Sequence, residues 1–445
     1  MDNILAARCQ MGMSLAFHII FACIGIALPF MMVFAELVWL KTKDHYYLLL
    51  AKRWATGSAI LFAVGAVSGT LLSFELGLLW PKFMEFAGAI IGLPFALEGY
   101  AFFAEAIFLG IYLYGWKRVS PVMHAVSGLI VAFNGALSGA FVVAANAWMN
   151  TPAGFTVKNG KPENIVPVDA LLNPASGYEA VHMLIAAYMA TAAAMAGIHA
   201  FMLLKDKTNA FHQRALLLAC VLAASMALLQ PITGDSIARM VARVQPIKLA
   251  SLEGQFQTER SAPLRIGGIP DMAERRTNFA LEIPYGLSIL AFHDPNAVVK
   301  GLNDFPRDEW PFVPAVHICF QIMVGCGSVL SMMALWTFFL LFRKEKLYDH
   351  PWFLKATVAC TPLGFLAVET GWMVTEMGRQ PWIIVGVMRA AQASTPVPGI
   401  AIQMWIFFAV YLALAFVVVL IVKRQVVMTA TKEDVMQLEA GENAR

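Results

Sequence analysis

Glu369-Thr-Gly-Trp-Met-Val-Thr-Glu-Met-Gly-Arg-Gln-Pro-Trp382 closes an apolar run that begins near Ala356. A run of that length crosses the roughly 30 Å hydrocarbon core of a bilayer, which places Glu369 and Glu376 at membrane depth. A carboxylate there costs several kcal/mol unless something pairs with it, so an intramembrane acid marks a functional site by default. The two glutamates are two helical turns apart and Trp372 lies one turn before Glu376, so the three share a face. Gly378 and Pro381 end the helix and leave Arg379 at its mouth. An acid, an indole and a cation at one helix end point to a buried polar site.

Composition agrees with a membrane setting. The 445 residues are 59% hydrophobic and 14% charged, with a mean hydropathy of +0.66. Soluble domains run nearer a quarter charged, so an all-α polytopic membrane protein is expected. The net charge of +3 gives no reason to expect a nucleic-acid partner. Six cysteines (Cys9, Cys23, Cys220, Cys319, Cys326, Cys360) form no CxxC or CxxCH, which excludes c-type haem attached by the usual motif and offers no disulfide framework. The N-terminus lacks the basic-then-apolar pattern with a small-residue cleavage site, so the first helix is expected to be kept.

Spanning runs occur at 11–40, 55–75, 92–115, 123–148, 180–204, 214–233, 313–342, 356–378 and 398–422, which predicts nine helices. Short connections rich in Lys and Arg alternate with poor ones. The rich set carries Lys41, Lys43, Lys52 and Arg53, then Lys117 and Arg118, Lys205, Lys207 and Arg214, Arg343 to Lys355, and Lys423 and Arg424. That bias puts the N-terminus outside and the C-terminus in the cytoplasm. The division expected is 1–233 for six helices, 234–312 for an outer-side loop, 313–423 for three more helices, and 424–445 for a polar cytoplasmic tail. Within the loop, Ile247–Phe256 is read either as a short amphipathic helix carrying Lys248 and Glu253 or as a surface turn. No internal repeat of the kind seen in inverted-repeat transporters is present.

Helix direction and residue order cluster the ionisable groups. His18, Glu98, His182, Met323 and Glu376 all fall in the outer half of the membrane; Glu105 lies nearer the middle, and His124 opens the fourth helix at the cytoplasmic side. Glu98 and Glu105 share a face and are read evenly as a proton relay or as bundle hydrogen-bonding groups. Imidazole, thioether and carboxylate are also the side chains that ligate haem iron, and a His/Met pair makes an electron-transfer haem. The competing reading of each is plain packing, and His199, His317, Glu36 and Glu75 are left with that reading.

Several stretches together resemble subunit I of the cytochrome bd-type quinol oxidases: Ala16-Phe-His18, Leu97-Glu-Gly-Tyr-Ala-Phe-Phe-Ala-Glu105, Ala144-Ala-Asn-Ala-Trp-Met149, Val181-His182, Lys248-Leu-Ala-Ser-Leu-Glu253, Phe320-Gln-Ile-Met-Val-Gly-Cys326, and the run from Glu369 that ends in Gly378-Arg-Gln-Pro-Trp382. They occur in order, nearly end to end. The resemblance implies three haems. His182 and Met323 would be axial ligands of a low-spin haem b, His18 would ligate haem d, and Glu376 would ligate a high-spin haem b, with the last two exchangeable among relatives. Lys248 and Glu253 would belong to a quinol-oxidising loop, with Glu253 accepting quinol protons. Glu98, Glu105 and His124 match proton-delivery positions, and Trp372 and Arg379 would support the haem cluster, Arg379 by pairing with a propionate.

Three departures qualify the likeness. The outer loop is compact, as in the short-loop branch. Gln321 stands two residues before Met323 where many members carry an arginine, which implies a lower haem potential or altered propionate contacts at this cofactor-binding position. With Glu75-Leu-Gly-Leu-Leu-Trp80 it resembles the cyanide-insensitive branch. Glu98 and Glu105 stand one residue closer together than in other members.

What the resemblance implies is a quinol:oxygen oxidoreductase of the bacterial inner membrane, oxidising ubiquinol or menaquinol outside and reducing O2 with cytoplasmic protons, so that charge separates without pumping. It implies a second polytopic subunit, small accessory subunits and membrane lipid as partners. The alternatives are a transporter coupled through Glu98, Glu105 and Glu376, and an assembly subunit carrying a single b haem.

Overall fold

The computed structural model describes residues 3–395 and 397–427. Among the described residues, nine helices are long and apolar enough to cross a bilayer: Asn3–Thr42, His45–Leu79, Pro81–Tyr114, Pro121–Asn150, Ser176–Lys205, Ala210–Val244, Val313–Phe342, Pro351–Gly378 and Ile400–Ile421. They are the first to ninth helices in chain order. The tail expected at 424–445 lies outside the described residues from 428 onward.

Three of the helices that overrun their apolar stretches are capped by polar side chains. Asp44 accepts from Tyr46 N at 3.0 Å, Ser120 from Met123 N at 3.3 Å, and Asn209 from Phe211 N at 3.1 Å and His212 N at 3.3 Å. Each supplies an acceptor to amides that have no partner within the helix. The sixth helix, expected to stop at 233, continues to Val244. Its extension is amphipathic: Met240, Val241 and Ala242 are buried against the loop while Arg239 pairs with Asp235 at 2.7 Å on the outer face, so it stays helical beyond the apolar run. The eighth span, expected as one run from 356, starts at Pro351 and is two helices, Pro351–Ala359 and Leu363–Gly378. Pro362 at the junction has no N–H to donate, and its ring clashes with a helical carbonyl one turn earlier.

The first helix packs on the second, fourth, fifth and ninth, and the third packs on the fourth. Large side chains fill the seams: Met32, Leu50, Trp54, Tyr112 and Phe353 in one cluster, and Leu79, Phe83, Ile90 and Trp148 in another. In lipid such seams are held by close packing, since hydrocarbon outside is as apolar as the core. The third helix carries two stripes. Glu105, Leu109 and Tyr112 are buried, while Tyr100, Phe103, Ile107 and Tyr114 are exposed on the opposite face.

Between the sixth and seventh helices lies an ordered extramembrane unit. Pro246–Leu252 is a helix closed by Glu253, so the helical reading of this stretch prevails over the turn. It is not amphipathic, because Lys248, Leu249, Ala250, Ser251 and Leu252 are all buried. Antiparallel pairs follow: Leu264–Ile266 with Leu281–Ile283, Ile269–Asp271 with Arg276–Asn278, and Glu259–Arg260 with Val298–Val299.

Candidate functional site

Two intramembrane histidines are held in the same way. His18 Nδ1 lies 3.0 Å from Ser68 Oγ on the second helix. The Ser68 proton is committed to its own helix, toward Val64 O at 2.9 Å or Gly65 O at 3.1 Å, so Oγ accepts and Nδ1 carries the proton. His182 Nδ1 lies 2.9 Å from Thr233 Oγ1 on the sixth helix, and Thr233 donates to Gln230 O at 3.0 Å. In both rings this fixes the tautomer that presents Nε2 as a lone pair, as an outer hydrogen bond does for a metal-binding imidazole. Gln230 Nε2–H donates to that lone pair of His182 at 3.0 Å, so a metal held by this ring would have to take the place of that donor. A glycine follows each hydroxyl, and at the first it makes room for the ring. A Cβ on Gly69 would sit 2.9 Å from His18 Cε1, too close, whereas one on Gly234 would sit in ordinary contact, 3.6 Å from His182 Cε1.

Met323 packs against the eighth helix, where a Cβ on Gly371 would lie 3.1 Å from its sulfur. Trp372, next in sequence, packs against a cluster formed by Ile19, Cys23 and Ile26 of the first helix, Ala187 and Ala190 of the fifth and Val368 of its own helix. At the end of the eighth helix Glu376 is gripped from two sides: Asn146 Nδ2 donates to Oε1 at 2.5 Å and Arg379 Nη2 to Oε2 at 2.5 Å. Arg379 is buried, and its Nε and Nη1 have no partner within the protein. Lys248 reaches the same corner. Its Nζ donates to Asn150 Oδ1 at 3.0 Å, and its charge faces Glu179, Arg379 and Glu376. Burial draws this ammonium down to about 8.

Glu253, five residues on, points elsewhere. It is 1% exposed, both carboxyl oxygens lack partners, and burial pushes it up to about 8 against the pull of Arg265. Lys248 and Glu253 thus leave one short helix on different sides. Gln321 binds the loop at both ends of its amide, accepting from Gly267 N at 2.9 Å and donating to Arg265 O at 3.1 Å. The His317 ring stands between two loop carbonyls: Nδ1 lies 2.7 Å from Leu252 O and Nε2 3.0 Å from Gly267 O.

The fourth helix lines a polar seam with the first, third and eighth. At one end His124 Nδ1 meets Glu36 Oε1 at 2.7 Å while Nε2 meets Tyr112 O at 2.8 Å. A carbonyl only accepts, so Nε2 carries hydrogen, and one movable proton lies between Nδ1 and Glu36. Further along, a Cβ on Gly135 would lie 3.3 Å from Glu105 Oε1. Ser138 donates to Glu98 Oε1 at 3.3 Å, and Asn146 reaches Glu376. His124, Glu105, Glu98 and Glu376 are therefore met in that order along one helix, about 33 Å from first to last at 1.5 Å per residue.

Several of these partners carry no role in the sequence reading. Glu36 is left there as packing, Asn146 lies inside a quoted stretch with no function of its own, and Ser68, Thr233, Asn150 and Glu179 are absent. The hydroxyl–glycine dipeptides Ser68-Gly69 and Thr233-Gly234 recur in kind at Thr56-Gly57, Ser127-Gly128 and Thr370-Gly371, so sequence alone did not single them out. Among the described residues, no three His, Cys, Asp or Glu side chains converge as a bare metal site needs. Iron held in a porphyrin asks the protein for only one or two axial atoms.

Fold and site together define a polytopic membrane protein that carries imidazole, thioether and carboxylate side chains on its spanning helices. The chain matches the family model of cytochrome bd terminal oxidase subunit I over residues 6–429, and it belongs to that family. It is similar to the solved structure of bd oxidase from Geobacillus thermodenitrificans, with a TM-score of 0.91 and 39% identity over 95% of this chain and 98% of that one. A Bacillus subtilis (strain 168) protein provisionally named a cytochrome bd menaquinol oxidase subunit I is 39% identical over 94% of this chain and 95% of its own. Cytochrome bd ubiquinol oxidase subunit 1 of the same organism is 34% identical, covering 89% and 87%. Membership makes the chain a haem-bearing terminal oxidase subunit, multi-pass in the bacterial inner membrane.

Proposed function

We propose that this chain is the haem-carrying subunit of a quinol:oxygen oxidoreductase, taking electrons from a membrane quinol at its extramembrane loop and reducing O2 to water. The observation that carries this reading is the pair of imidazoles, His18 and His182, each tied through Nδ1 to a hydroxyl so that Nε2 keeps a lone pair that would serve a metal. Bound haem supplies electron storage and the oxygen chemistry; the protein supplies ligation, orientation and proton access.

The donor set fits three haems. His182 and Met323 suit a low-spin haem b, His18 a haem d, and Glu376 a high-spin haem b. The orphaned Nε and Nη1 of Arg379 suit a propionate carboxylate. Trp372 packs the eighth helix against the first and the fifth. Gln321 acts through the loop, whose backbone holds its amide.

Glu253 takes a quinol proton at its unpartnered carboxyl oxygens, and Lys248 holds positive charge between the loop and the Glu376 corner. Protons for oxygen reduction enter at the Glu36–His124 pair and pass to Glu105 and Glu98. With the basic short loops in the cytoplasm, quinol protons leave outside while oxygen takes protons from inside. Charge separates without pumping. The division at residues 234 and 313 follows this split of labour, in which the loop handles quinol and the helices on either side hold haem. Relatives named for ubiquinol and for menaquinol make either quinol a substrate candidate here. The partner is a second polytopic subunit, with small accessory subunits and lipid around the pair.

The test is a reduced-minus-oxidised absorption spectrum of the purified two-subunit enzyme, with and without carbon monoxide. Low-spin b, high-spin b and d bands together are expected. An absence of haem bands overturns the reading, and b bands without d overturn the assignment of His18.

A further inference from the structure

Gln10, Ser14, Glu75 and Tyr411 meet where the first, second and ninth helices pack, and none is more than 3% exposed. Gln10 Nε2–H donates to Glu75 Oε1 at 3.0 Å. Ser14 also faces the Glu75 carboxyl, and the Tyr411 hydroxyl faces both Ser14 and Glu75. Yet Gln10 Oε1, Ser14 Oγ, Glu75 Oε2 and the Tyr411 hydroxyl have no hydrogen-bond partner within the protein. Each such atom is destabilising when left dry. Four together, from three helices, make a polar chamber of the kind that buried water fills.

The charge state follows from the same geometry. An ionised carboxylate in hydrocarbon needs a facing cation. The groups that face Glu75 are an amide, a hydroxyl and a phenol, none of them basic. The carboxyl is held as the neutral acid, with Oε1 taken by Gln10 and the proton on Oε2. Its place matters too. Ser14 is one turn from His18 on the first helix, and Glu75 is two turns from Ser68, the hydroxyl that meets His18. The chamber therefore lies on the His18 seam, about 6 to 10 Å along the helix axes. Glu98 and Glu105 face the fourth helix instead.

We propose that Glu75 is a hydrated proton donor to the oxygen-reducing side of His18, separate from the Glu105–Glu98 seam. This rests on the oxidase reading above. Glu75 Oε2–H gives its proton, through Ser14 or chamber water, to oxygen under reduction, becomes a carboxylate, and is reprotonated through the same water. Electrons come from quinol, so the step moves a proton only.

The experiment compares reduced-minus-oxidised infrared difference spectra of the purified two-subunit enzyme, wild type against Glu75→Gln, with Tyr411→Phe as a second variant. A protonated-carboxyl C=O band that moves in D2O is expected to vanish in Glu75→Gln and to shift in Tyr411→Phe. Oxygen reduction in Glu75→Gln is expected to slow about a hundredfold, the usual share of a positioned acid, with quinol KM and visible haem bands unchanged. Retention of every carboxyl band in Glu75→Gln, or wild-type turnover, overturns the proposal. Should Glu75→Gln fail to assemble, Tyr411→Phe decides, and an unshifted band overturns it. Missing haem bands in the wild type strike instead at the oxidase reading, so the two failures are distinct.

Discussion

Replacing Glu253 by Gln removes one titratable proton from the loop while keeping side-chain shape. The wild-type carboxyl is fully enclosed and unpartnered, and burial lifts it to about 8. A base with that value is about one-tenth ionised at pH 7 and about one-hundredth at pH 6. If ionised Glu253 accepts the quinol proton, kcat/KM for quinol rises about tenfold per pH unit up to about 8 and then levels. The assay is steady-state quinol oxidation from pH 6 to 9 with oxygen saturating. Glu253→Gln should flatten the rising limb and lower the plateau, with the haem spectrum intact. Stability moves the other way. A carboxyl raised from 4.5 to about 8 stabilises the fold fully below pH 4.5, and that contribution is lost as pH rises toward 8. Thermal unfolding of the wild type should therefore fall with pH across that window more steeply than that of Glu253→Gln. A flat wild-type rate profile, or a limb that survives in Glu253→Gln, would refute the role.

Three further perturbations test other parts of the site. Gly69→Ala puts a Cβ 2.9 Å from His18 Cε1, too close to stand, so the haem bands assigned to His18 should shift or vanish while those of the His182 haem remain in the absorption spectrum. His317→Phe removes the ring that stands between Leu252 O and Gly267 O, where a neutral imidazole donates to one of the two carbonyls. At about 1 kcal/mol for that hydrogen bond, quinol KM should rise roughly fivefold with the haem spectrum unchanged. Glu105→Gln should slow oxygen uptake while leaving all haem bands, and normal turnover would remove Glu105 from the proton path.

Local signals carried much of the fold because the bilayer imposes them. Nine spans are visible as apolar runs, since every backbone polar group in lipid must be satisfied within its own helix. The break at Pro362 was hidden, because the apolar run continues across the missing hydrogen bond. The sixth helix outran its apolar stretch, because its last turns bury Met240, Val241 and Ala242 against the loop and not in lipid.

Residue order alone was enough for the class of protein, the nine spans and the family, and it marked His18, His182, Met323 and Glu376 as ligand-type side chains at membrane depth. Helix packing chose who stands beside them: Ser68 and Thr233 behind the two imidazoles, Glu36 against His124, Asn146 and Arg379 on Glu376, and Gln10 with Tyr411 around Glu75. Most of these partners come from helices distant in the chain. Periodicity tells which face of a helix a residue occupies, but only the rotation and depth of the packed neighbour bring a particular hydroxyl, amide or carboxylate within hydrogen-bond reach.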